Sequence, residues 1–75
     1  MSVYPNPVKD LLTLQIGDPQ DFDYLLYDVR GGLLDRGEVL AERTEIDFRA
    51  LAPAVYILRI TNHKEEVRIF QIVKY

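Results

Sequence analysis

The stretch Leu11-Leu12-Thr13-Leu14-Gln15-Ile16 sets Leu12, Leu14 and Ile16 at alternate positions, with Thr13 and Gln15 between them. Successive side chains of a strand point to opposite faces, so this period of two describes a strand with one apolar face. Upstream, Val3-Tyr4 reads as a short first strand. Pro5-Asn6-Pro7 ends it, because each proline fixes its own φ and removes a backbone donor. Downstream, Gly17-Asp18-Pro19-Gln20 reads as a loop. Residues 22–29 form a third strand, with Tyr24 and Leu26 on one face and Leu25, Tyr27 and Val29 on the other. Apolar on both faces, it belongs in the middle of a sheet. Gly31-Gly32 supplies the positive φ values of a tight reversal.

Residues 33–40 carry Asp35, Arg36, Gly37 and Glu38, a composition suited to a sheet edge. Residues 44–48 alternate again, with Ile46 and Phe48 inward and Asp47 outward. A helix over 39–52 would need apolar residues at steps of three and four, and Thr44, Ile46 and Phe48 keep the strand period instead. Arg49-Ala50-Leu51-Ala52-Pro53 is a connection, and residues 54–61 (Ala-Val-Tyr-Ile-Leu-Arg-Ile-Thr) form a further strand. Residues 62–65 turn the chain into a last strand at 66–74.

Seven short strands with closely spaced turns predict an all-β, antiparallel two-sheet sandwich. The expected core is Leu12, Leu14, Ile16, Leu26, Ile46, Phe48, Leu51, Tyr56, Leu58, Ile60 and Ile69. Val67, Ile72 and Val73 are expected to add to it. If 62–65 is the loop, Ile60 faces Val67, Arg59 faces Arg68 and Leu58 faces Ile69. That register sets two arginines side by side. Such a pair needs either a neighbouring carboxylate or an acidic patch on a partner.

A chain of 75 residues is read as one domain, and its core must be built without cysteine, from a 48% hydrophobic composition. Without cysteine there is neither a disulfide nor a thiolate metal site. Nine basic and twelve acidic residues give a net charge of −3, which disfavours nucleic acid or an anionic membrane as partner. No apolar run is long enough to span a bilayer, so no membrane insertion is expected. Met1-Ser2 leads straight into Val3-Tyr4-Pro5 without a signal-peptide pattern; a leader is expected at the far end of a longer parent chain.

Catalytic constellations fail by residue count. Ser2 is the single serine and His63 the single histidine, so a nucleophile–histidine triad is not expected, nor an enzyme of another kind. Asp18, Asp21 and Asp23 cluster around one loop but lack the spacing and closing glutamate of a calcium loop, so they read as solvated. No cofactor is expected, since Gly31-Gly32 follows a strand with no helix after it. Tyr4, Tyr24, Tyr27 and Tyr56 fall within apolar strands. They read as core residues with hydroxyls at a rim, the alternative being a sugar-stacking platform in an adhesion or carbohydrate-binding module.

Taken in order, several segments resemble one family. Tyr4-Pro5-Asn6-Pro7, Leu11-Leu12-Thr13-Leu14, Leu26-Tyr27-Asp28-Val29-Arg30-Gly31, Ile46-Asp47-Phe48, Leu51, Val55-Tyr56-Ile57-Leu58-Arg59-Ile60 and the closing Ile72-Val73-Lys74-Tyr75 are similar to the C-terminal sorting domains of the type IX secretion system. The family usually has glycine where Ala54 stands. The resemblance implies an immunoglobulin-like sandwich of about seven strands and a non-catalytic signal at the end of a cargo protein in Bacteroidetes-type bacteria. It implies passage through the periplasm to the cell surface by an outer-membrane translocon, then removal by a sortase-like cysteine peptidase. Tyr4, Pro5, Asn6, Pro7, Asp28, Gly31 and Tyr56 are the structural motif positions. Arg59, Arg68, Lys74 and Tyr75 are the candidate recognition residues.

Overall fold

The computed structural model describes residues 1–17, 22–39 and 41–75. Seven strands follow in chain order: β1 (Ser2–Tyr4), β2 (Leu11–Gln15), β3 (Phe22–Asp28), β4 (Leu33–Val39), β5 (Arg43–Asp47), β6 (Ala54–Thr61) and β7 (Val67–Lys74). They make two antiparallel sheets, ordered β1-β2-β5 and β4-β3-β6-β7. This is the strand arrangement of an immunoglobulin-like sandwich. As expected, β3 is internal and β4 lies at an edge.

Leu12, Leu14 and Ile16 from the first sheet face Leu26, Tyr56, Leu58 and Ile60 from the second, and Ile46 and Phe48 complete that layer. The Phe48 and Tyr56 rings meet edge to face at 5.7 Å and 86°, the arrangement aromatic quadrupoles favour. The Tyr56 hydroxyl donates back to the Ala52 carbonyl. That bond is a tyrosine corner, which fixes the chain where it crosses between sheets. Val8, Val39 and Ile72 are also buried, while Leu51 only packs against the rim of the core. The expected core includes Ile72 as an addition but neither Val8 nor Val39.

The reversal from β3 to β4 and the one from β6 to β7 share one construction. In the first, Asp28 Oδ1 accepts the amides of Arg30 and Gly32. In the second, Asn62 Oδ1 accepts those of Lys64 and Glu66. The residue three positions on is left-handed in each: Gly31 at φ 87° and Glu65 at φ 62°. This is a three-residue hairpin loop, a type I turn followed by a left-handed residue. Of the two glycines, only Gly31 takes a positive φ. Ala54, where the family usually has glycine, lies in β6 and needs no positive φ.

The second turn corrects the expected β6–β7 register. Thr61 faces Val67, not Glu66, so Leu58 faces Phe70, Ile60 faces Arg68 and Arg59 faces Ile69. A shift of one residue sends every side chain of β7 to the other face. Ile69 therefore leaves the core, at 65% exposed, and Val67 and Val73 are exposed as well. Ile72 fills the place opposite Tyr56.

Candidate functional site

The segment after β1 crosses from one sheet to the other. Pro5 and Pro7 carry no N–H, so the pairing falls to their neighbours. The Asn6 amide donates to the Gln71 carbonyl at 2.8 Å, and its Oδ1 accepts the Val73 amide at 3.0 Å. Val8 then donates to the Val73 carbonyl at 2.7 Å and accepts from the Tyr75 amide at 3.1 Å. A side chain and one buried valine thus imitate a short strand along the C-terminal half of β7. Val8 and Lys74 form a parallel bridge there. The Tyr4-Pro and Asn6-Pro bonds are both cis.

These contacts lock residues 6–8 to the end of the chain. Asn6→Ala removes two exposed hydrogen bonds and is expected to cost roughly 1–3 kcal/mol. Asn6→Asp, which keeps the acceptor for Val73 but loses the donor to Gln71, is expected to fall between. Urea denaturation of the two variants checks the order. Equal midpoints for Asn6→Ala and the parent would show that the lock contributes nothing.

The candidate recognition residues do not form one patch. Arg59 lies on the outer face of the four-stranded sheet, opposite Ile69, whereas Arg68 lies on the inward-turned side of β7, opposite Ile60 at the exposed rim. The side-by-side arginine pair expected from the sequence is therefore absent, because the turn pairs Thr61 with Val67 rather than Glu66. Lys74 Nζ reaches the Tyr75 carbonyl at 3.4 Å, and the Tyr75 side chain is 64% exposed although its amide is tied to Val8.

Tyr4 departs from its expected core position. It is 41% exposed and donates to Gln15 Oε1 at 3.0 Å on the outer face of the three-stranded sheet. Tyr27 lies on the outer face of the other sheet, since its neighbour Leu26 is buried. The two rings thus occupy opposite outer faces of the sandwich and share no platform. Of the acidic loop cluster, Asp18 and Asp21 lie outside the described residues, and Asp23 is exposed opposite Glu38 and Thr61. His63 is exposed in the β6–β7 turn.

The family model for the secretion system C-terminal sorting domain matches residues 2–74. This chain belongs to that family. Two solved structures share the sorting domain's fold. A DUF3244 family protein from Bacteroides vulgatus, described as an immunoglobulin-like β-sandwich, is 20% identical with a TM-score of 0.83, over 97% of this chain and 82% of its own. PorZ of Porphyromonas gingivalis, a surface component of the type IX secretion system, is 20% identical with a TM-score of 0.84. There the match covers 99% of the sorting domain but 11% of the PorZ chain. A search of curated protein sequences finds no match.

The sorting domain's remaining polar features are local. The Asp47 carboxylate is held down to a pKa of about 2 by hydrogen bonds from the Arg49 side chain, 2.8 Å away, and from the Arg49 amide. Burial and the neighbouring Asp35 carboxylate push the Tyr24 hydroxyl up. The Tyr24 ring covers Gly37 so closely that a Cβ there would lie 2.6 Å from it. A shallow depression beside this ring is lined by Asp23, Arg36, Glu38 and Thr61. Sequence reasoning missed Asn6 as a strand substitute. Its signal was present: an amide side chain flanked by two residues that cannot donate.

Proposed function

We propose that this sorting domain is the address of a cargo protein exported by the type IX secretion system. The family match over residues 2–74 carries this reading. On it, the domain passes the periplasm at the end of its cargo, engages an outer-membrane translocon and is removed at the cell surface by a sortase-like cysteine peptidase. The domain acts as substrate rather than catalyst. Within it, the tip formed by Lys74 and Tyr75 is the part offered to the translocon: the backbone there is anchored by Val8 while the Tyr75 ring projects. Arg59 and Arg68 lie on different faces of the sandwich, so they do not act as a pair in this recognition.

The test is a fusion of this chain to the C-terminus of a periplasmic reporter, in a strain that carries the secretion system. The expected result is reporter at the cell surface without the domain, and reporter with the domain attached when the peptidase is deleted. Tyr75→Ala keeps the Tyr75 amide and the fold but is expected to lower surface display. Retention of the folded parent fusion in the periplasm would overturn the proposal.

A further inference from the structure

A sandwich of two open sheets has four edges, and three of them are guarded here. β1 has only three residues. β5 carries Arg43, Glu45 and Asp47 along its length. β4 carries Arg36 and Glu38, has a bulge beside Leu26 and Tyr27, and turns the Asp35 carboxylate onto its own Arg36 amide at 2.8 Å. Short strands, charges and bulges are the usual protection against edge-to-edge pairing. The fourth edge, β7, is guarded over half its length, where Asn6 and Val8 occupy it.

The other half is open. Val73 turns both of its backbone groups toward residues 6–8. By the two-residue period of a strand, Val67 and Ile69 turn theirs the same way, where β7 has no neighbouring strand among the described residues. Their side chains, 42% and 65% exposed, add apolar surface beside these groups. Arg68 lies between them and Arg59 opposite Ile69. Neither arginine has an ion pair among the described residues. The carboxylates nearest in sequence are Glu65 and Glu66 in the turn.

We propose that residues 67–71 receive an added strand: an extended segment of a partner protein in which apolar and acidic residues alternate. Main-chain bonds to Val67 and Ile69 supply the pairing, apolar side chains cover Val67 and Ile69, and a carboxylate answers Arg68. Strand addition of this kind draws affinity from the backbone and specificity from alternate side chains. The chain's own residues 6–8 already use the same edge in this way one step further along. A second copy fits poorly. Antiparallel self-pairing with Val67 opposite Ile69 sets Arg68 against Arg68. Centring the pair on Ile69 drives the copy's 62–66 turn toward residues 5–8. The inference does not depend on the export reading.

The test is amide hydrogen exchange on the whole chain, with a short peptide alternating valine and glutamate as probe. In the free protein, the Val67 and Ile69 amides are expected to exchange rapidly while those of Val73 and Tyr75 are protected. The peptide is expected to slow Val67 and Ile69 at least about tenfold, a modest affinity at excess ligand. A peptide alternating valine and lysine is expected to fail. Ile69→Pro removes one outward donor without touching the β6 ladder and is expected to abolish the effect. Ile69→Lys, which keeps the backbone, is expected to weaken it and serves if the proline variant unfolds. Protected Val67 and Ile69 amides in the free monomer, equal slowing by both peptides, or no slowing by either would overturn the proposal. So would a dimer in sedimentation that protects these amides without peptide.

Discussion

Phe48→Ala is expected to cost about 3–5 kcal/mol. A chain of 75 residues holds only roughly 4–11 kcal/mol in total, so the variant should lose roughly a quarter or more of its stability. The effect is large because Phe48 does more than fill volume. Its side chain is fully buried, and its ring meets Tyr56 edge to face and supports the tyrosine corner. Losing the ring opens a cavity at the point where β5 leaves one sheet and the tyrosine corner enters the other. Tyr56→Phe, which keeps the ring pair but loses the hydroxyl bond to Ala52, should cost about 1 kcal/mol. Chemical denaturation followed by far-ultraviolet circular dichroism measures both. A Phe48→Ala midpoint within experimental error of the parent would show that the core tolerates this void.

Removal of residues 67–75 is expected to abolish cooperative unfolding altogether. β6 would lose all eight of its pairings with β7, and the core would lose Ile72 and the packing of Phe70. Asn6 and Val8 would lose their partners at the same time, so both sheets would be affected by one truncation. Removing Lys74 and Tyr75 alone is a milder change. It breaks the Tyr75–Val8 hydrogen bond and the last β6–β7 pair, an expected loss of roughly 1–2 kcal/mol. Thermal melting separates the outcomes: a sharp but lowered transition for the short deletion, none for the long one. A sharp transition after the long deletion would mean that the remaining six strands hold a core of their own.

How much of this was legible beforehand differs from strand to strand. β2 and β5 each have one apolar and one polar face, so their alternation stated which side chains turn inward, and Leu12, Leu14 and Ile46 are buried as expected. β3 is apolar on both faces and proved internal. Tyr56 read as core because it lies between Val55 and Ile57 in a strongly apolar strand. Its hydrogen bond to Ala52 was not legible, since it depends on how the connection from β5 folds back. The recognition residues were less legible still. The faces of Arg59 and Arg68 depend on the β6–β7 register, and alternation cannot choose between registers when Val67, Ile69 and Val73 compete with Phe70 and Ile72.

Local periodicity and turn chemistry therefore determined, from the sequence alone, that there are seven strands, where they lie and that they build a sandwich. Those properties act over neighbouring residues, and the side chain of each residue reports them directly. Tertiary structure alone decided which face of β7 is buried, because a one-residue shift of register at the Asn62 turn reverses the whole strand. It also decided that Asn6 and Val8 serve as a strand for residues 71–75. These partners lie more than sixty positions apart in the chain, and no local pattern in either segment encodes a hydrogen bond that forms only once both sheets have closed.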